Sequence, residues 1–175
     1  PYTPPARALH AAAYDGGRAR MLLFGGTTGN IPLLDDTWEL GDITWTRTAT
    51  AVAPPRSLDR GYFDSAREQV TTFGSTPAFE SRFDEIWAFD GATWVPRVST
   101  TTAPLPRQGA GLAYDSSRDR LVMYGGYVSA TASYSTETWE FDGAGWTLAT
   151  PAAHPPSREA HAMAYDPLRG VVVLF

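Results

Sequence analysis

Apolar positions in this 175-residue chain come in short blocks between polar turns, not in long periodic stretches. A run of small residues leads into an aromatic-Asp pair, as at 8–15. A polar turn follows, then a continuous apolar run such as Leu121-Val122-Met123-Tyr124, the pattern of a strand covered on both faces. Beyond a polar loop comes a segment alternating around a tryptophan (Trp38, Trp87, Trp139), and then a short segment with a second tryptophan (Trp45, Trp94, Trp146). No segment shows 3.6-residue apolar periodicity over a useful length. The pattern therefore predicts an all-β chain with no helix longer than a turn or two.

The four-part block recurs. It opens at Arg7, Arg56, Arg107 and Arg158, at offsets of 49, 51 and 51 residues. The offsets are the same at the aromatic before Asp (Tyr14, Phe63, Tyr114, Tyr165) and at the aromatic ending the apolar run (Phe24, Phe73, Tyr124, Phe175). All six tryptophans fall at the two expected places in three complete copies. Each copy reads as four strands. The innermost strands are Ala8–Tyr14, Gln108–Tyr114 and Glu159–Tyr165, whose small side chains suit an axis where several sheets converge. Aromatic-Asp-x-x-Arg makes a tight hairpin, with Asp supporting the turn through its own hydrogen bonds. Gly25-Gly26 and Gly125-Gly126 end the second strand by permitting positive φ or a close backbone approach; the second copy has Gly74-Ser75 there. Asp90-Gly91 and Asp142-Gly143 turn the chain into the outer strand.

A repeat of about 50 residues with a di-glycine and paired aromatics resembles the kelch family. The likeness covers essentially the whole chain and is greatest to bacterial kelch repeats with the aromatic-Asp-x-x-Arg turn. It implies a kelch-type β-propeller, with three four-stranded blades and half of a fourth in this chain. The repeats run over about 5–53, 54–104, 105–155 and, partially, 156–175. A closed propeller takes four to eight blades, so the expectation is a segment of a longer propeller. The rival is a ring completed by other copies, with self-association through the incomplete last blade and its edge strand near Val171–Phe175.

Composition narrows the function. All 14 basic residues are arginine, the mark of a GC-rich bacterial genome more than of a task. The formal net charge of -5 argues against a nucleic-acid partner, which calls for a basic surface. No stretch approaches a membrane span. With no cysteine, disulfides, thiolate metal sites and cysteine nucleophiles are excluded from this segment. The copper radical oxidases among kelch proteins need a cysteine joined to tyrosine, so the resemblance does not carry that chemistry here. His10, His154 and His161 lack metal-ligand spacing, and no cofactor motif is present. The compartment stays open, a secreted or extracellular one being favoured.

Candidate binding residues come from the repeat and from departures from it. Arg7, Arg56, Arg107 and Arg158 open every inner strand, and radial repetition would ring them around one mouth of the channel. The resemblance to peptide-binding kelch propellers implies an anion-binding mouth. Each arginine could instead pair internally with the acid that begins the third strand (Asp36, Glu85 or Glu137), a match suited to the guanidinium fork. Asp59 and Arg60 stand where other copies have small residues or His. Tyr127 and Tyr134 sit in a hydroxyl-rich loop whose composition suits peptides or sugars. The expected function is a non-catalytic binding module for a protein segment or carbohydrate. The alternatives are a catalytic propeller with active residues outside this segment and a structural unit that self-assembles.

Overall fold

The computed structural model describes residues 3–29, 33–50, 52–54, 60–73, 86–99 and 102–175. Three complete antiparallel four-stranded sheets recur in the expected order. The first is β1 (Ala11–Asp15), β2 (Arg20–Phe24), β3 (Thr37–Gly41) and β4 (Thr44–Thr48). The second is β5 (Arg60–Asp64), β6 (Gln69–Phe73), β7 (Ile86–Phe89) and β8 (Trp94–Arg97). A two-residue strand β9 (Arg107–Gln108) precedes the third blade, which begins with β10 (Gly111–Asp115) and β11 (Arg120–Tyr124). Its loop carries β12 (Tyr127–Val128) and β13 (Ser133–Tyr134) before the sheet closes with β14 (Thr138–Phe141) and β15 (Trp146–Ala149). The pair β16 (Met163–Asp166) and β17 (Val171–Leu174) forms half of a fourth blade. Helix among the described residues is one 3-10 turn, Ser129–Thr131, and none is long and apolar enough to cross a membrane.

Two compact units divide the chain, Pro1–Pro96 and Arg97–Phe175. In the first, the inner strands β1 and β5 lie side by side. Small alternating side chains allow this approach: Ala11 and Ala13 are buried while Ala12 and Tyr14 face out. Between the two sheets, Leu22, Phe24, Val70, Phe89 and Trp94 form the core. The Trp94 ring lies 4.9 Å from that of Phe24 and 5.2 Å from that of Phe89, both tilted as ring quadrupoles favour. Its Nε1 donates to Thr37 Oγ1 at 2.9 Å, tying the outer strand of one blade to the third strand of the other. In the second unit β10 and β16 are neighbours, and the His161 ring packs edge-on against Tyr124 and over the bare α-carbon of Gly111.

The aromatic-Asp-x-x-Arg turn is a clasp. Asp15, Asp64 and Asp115 are buried, and each accepts the backbone N–H three residues on and a guanidinium N–H from the same residue. The next residue sits left-handed (Ala19, Glu68 and Asp119, φ 51–53°), a conformation that costs a non-glycine residue about 1 kcal/mol and that the clasp holds. In two blades the arginine goes on to the third strand, Arg18 to Glu39 at 3.0 Å and Arg118 to Glu140 at 2.8 Å. The second blade has Ala88 at that place. Burial alone would raise the Asp115 carboxyl, but bonds from Arg118, Ser117 and the backbone bring it down to about 2.

The inner strands begin later than the sequence pattern suggests. Leu9, Gly109 and Ala160, each two residues after the repeat-opening arginine, have φ of 57°, 62° and 56°. A left-handed residue breaks the extended run, so β1, β10 and β16 start only after it. The residues before it pair elsewhere: Ala8 with Thr27, and Arg107–Gln108 with β12. This kink also explains the di-glycine. A methyl on Gly126 (φ 92°) would lie 2.9 Å from the Gln108 carbonyl oxygen, and one on Gly26 (φ 89°) 2.6 Å from that of Ala8. Gly74-Ser75, the variant in the second copy, lies outside the described residues.

Candidate functional site

The repeat-opening arginines are built into the blade. Arg7 donates through Nη1 and Nη2 to the two Asp36 carboxylate oxygens at 2.6 and 2.9 Å, through Nη1 to the Gly25 carbonyl, and through Nε to that of Pro5. Arg107 repeats the arrangement with Glu137 at 2.6 Å, Gly125 and Leu105. The acid stands two residues before the third-strand tryptophan, on the same face of the strand, so it accepts the indole N–H as well. Trp38 Nε1 reaches Asp36 Oδ2 at 2.6 Å, and Trp139 Nε1 reaches Glu137 Oε2 at 3.0 Å. For both acids burial would raise the carboxyl, yet the bonds from arginine and tryptophan hold it below its ordinary value. The side chains of Arg7 and Arg107 are only 3% and 0% exposed, whereas Glu137 is 43% exposed. The third-blade clamp therefore turns carboxylate, not guanidinium, to solvent, whereas in the first blade Asp36 is only 10% exposed and both partners are covered.

The other predicted residues are placed unevenly. Arg56 and Asp59 lie outside the described residues, as does Glu85. Arg60 opens β5 and is half-buried opposite Phe73. Arg158 donates Nε to the Pro156 carbonyl at 3.2 Å and meets no carboxylate in the described part of the half-blade. Tyr127 and Tyr134 come together: they face each other across β12 and β13 with ring centroids 5.4 Å apart, edge to face.

These tyrosines belong to a small raised sheet, ordered β13-β12-β9, which stands on the arginine clamp of the third blade. Tyr134 is 51% exposed. Val128, opposite Ser133, is buried, the exposed Thr131 and Ser133 hydroxyls meet at 2.8 Å, and β13 is the sheet's edge. Ser135 joins ridge to clamp, its hydroxyl accepting from Arg107 Nη1 at 3.1 Å and from the Glu137 N–H at 3.0 Å. The sequence singled out the two tyrosines as candidates but not Ser135 or the outward face of Glu137. A serine two residues before an acid that itself precedes Trp by two is a readable signal for such a brace, once the arginine is known to lie beneath. In the first unit a cleft of about 510 Å³ opens beside Asp36, between Thr37, Arg47, Thr48 and Thr50.

The ridge presents aromatic edges, hydroxyls and a fixed carboxylate. Over residues 2–175 the chain matches the family described as the KLHDC2/KLHL20/DRC7 Kelch-repeats domain. No curated protein matches it in sequence. Among solved structures, that of YjhT is similar with a TM-score of 0.71 at 13% identity, over 95% of this chain and 59% of that one. The chain thus spans about three-fifths of the YjhT chain.

Proposed function

This chain belongs to the kelch-repeat family, whose propellers generally mediate binding and interaction, and we propose that it is a non-catalytic module that holds a segment of a protein partner against the ridge formed by Tyr127, Ser133 and Tyr134. The observation that carries this reading is the half-exposed Tyr134 on the open edge β13. Its ring is already held edge-on by Tyr127, so it loses little rotamer freedom when covered. An edge strand offers backbone N–H and C=O groups to an extended peptide, and an amphipathic tyrosine supplies contact area beside them. Glu137, kept ionised by Arg107 and Trp139, favours a basic or amide-rich segment over an acidic one. Arg7 and Arg107 act as internal supports that position the loops.

A carbohydrate is the second reading, favoured by the Thr131–Ser133 hydroxyl pair beside an aromatic face. The deciding experiment is a displayed-peptide selection run beside a glycan array, each with the unaltered chain and with Tyr134→Ala. The proposal expects peptides enriched by the first protein and lost with the second. Glycan binding that depends on Tyr134 would replace the peptide by a sugar. Ligands that bind both proteins equally would remove the ridge from the account.

A further inference from the structure

The raised sheet of the complete third repeat has one face turned to solvent. Residues directly opposite one another in neighbouring strands share a face. Tyr134 is opposite Tyr127, and Tyr127 is opposite Gln108, so the three make one row across β13, β12 and β9. Arg107 and Val128, which belong to the other face, are 3% and 4% exposed, which puts the row on the outside. Gln108 and Tyr134 are exposed and Tyr127 partly so. Among the described residues neither tyrosine hydroxyl nor the Gln108 carboxamide makes a hydrogen bond, so all three keep a donor for an incoming acceptor.

The dimensions of the row and its donors point to one kind of segment. Neighbouring strands lie about 4.8 Å apart, so the row from Tyr134 to Gln108 is about 9.6 Å long. One turn of polyproline II, three residues rising about 3.1 Å each, advances about 9.3 Å. Residues three apart in such a segment therefore meet Tyr134 and Gln108 together. Polyproline II has no internal hydrogen bonds and proline has no N–H, so the segment brings carbonyl acceptors to a row of donors. The two rings, 5.4 Å apart and edge to face, give the pyrrolidines an apolar seat. Strand β13 is only two residues long, so the longer contact lies across the sheet, not along its edge. Glu137, three residues beyond Tyr134 and 43% exposed, adds a charge complementary to a basic flanking residue.

Taking the ridge as the partner site, as above, we propose that the segment it holds is proline-rich and in the polyproline II conformation. It lies across β13, β12 and β9, with its carbonyls on Gln108 and the tyrosine hydroxyls and a basic residue at its Tyr134 end. A segment already in this conformation loses little freedom on docking. Gln108 is then the specificity-determining residue. The tyrosines offer area to any apolar side chain, whereas the carboxamide one polyproline turn away rewards only a segment of that pitch.

The test titrates two fluorescein-labelled octaproline peptides, with a single arginine at one end or the other, into the unaltered chain and follows fluorescence anisotropy. Saturable binding of at least one is expected, and a glycine-serine peptide of the same length and charge should bind at least about tenfold more weakly. Gln108→Ala should weaken the octaproline by about three- to tenfold, the effect of one hydrogen bond, and Tyr134→Ala by about tenfold or more. Because Gln108 is exposed, its replacement leaves the fold in place, which an unchanged thermal midpoint would verify. No binding of either octaproline, equal binding of the glycine-serine peptide, or indifference to Gln108→Ala would each overturn the proposal. If peptides without proline are then selected by the chain and lost with Tyr134→Ala, the ridge stays the partner site and only its proline-rich occupant is removed. If no ligand depends on Tyr134, both fall.

Discussion

Replacing Trp94 by alanine is the sharpest perturbation of the first unit. The side chain is 2% exposed, touches the Phe24 and Phe89 rings and spans two blades. Truncating a buried tryptophan costs about 3–5 kcal/mol in transfer and cavity terms. Thr37, 1% exposed, would also lose the N–H that its hydroxyl accepts, adding about 1 kcal/mol. The expected loss is therefore about 4–6 kcal/mol, a large share of a domain's stability. Trp94→Phe separates the two terms, since it keeps most of the ring contact and removes only the hydrogen bond and part of the volume; about 1–2 kcal/mol is expected. Ile43, 94% exposed, is the control, with Ile43→Ala within about 0.5 kcal/mol of the parent. The assay is urea unfolding followed by circular dichroism. A Trp94→Ala loss below about 1 kcal/mol would falsify the packing described between the first two blades.

Two further outcomes follow from the turns. Gly125 and Gly170 share nearly the same φ, +69° and +63°, but a methyl on Gly125 would lie 2.6 Å from the Arg158 carbonyl oxygen and one on Gly170 meets nothing within 4 Å. Gly170→Ala should cost about 1 kcal/mol and Gly125→Ala at least about twice that in thermal unfolding; equal costs would mean that close approach plays no part. The Asp115 carboxyl, depressed in the folded state from 3.8 to about 2, contributes stability that is complete above its unfolded value and lost as pH falls through the folded one. Denaturant midpoints should thus drop between about pH 4 and pH 2, less steeply in Asp115→Asn, and an unchanged slope in that variant would contradict the clasp.

The strand order, the hairpin turns and the inward packing of the third-strand tryptophans were legible because each repeats, and repetition separates an architectural residue from a local accident; Trp38 and Trp139 are buried, Trp87 partly so. The Asp-x-x-Arg clasp and the Asp-Gly turns were legible for the same reason, their hydrogen bonds being local in sequence. What periodicity could not supply was direction. Arg107 in a sequence reads equally as a ligand contact or as a buried partner of Glu137, and only the fold shows its side chain covered and the acid facing out. Nor did composition reveal the left-handed kink at Leu9, Gly109 and Ala160, since the three residues share no side-chain feature beyond lacking a polar group. The raised sheet β13-β12-β9 was invisible for a further reason. Its strands are two residues long, too short for an alternating pattern, and they are held by contacts with a segment about twenty residues earlier.

On the proposal made above, the chain binds its partner on the ridge of the third blade. The most direct measurement is an amide chemical-shift titration of the isotopically labelled chain with a peptide enriched in selection. Amides of Tyr127, Thr131, Ser133 and Tyr134 should shift together with one apparent affinity, while those of Leu22, Leu23 and Phe24 stay in place. Shifts gathered in the first blade, with the ridge unmoved, would contradict the claim.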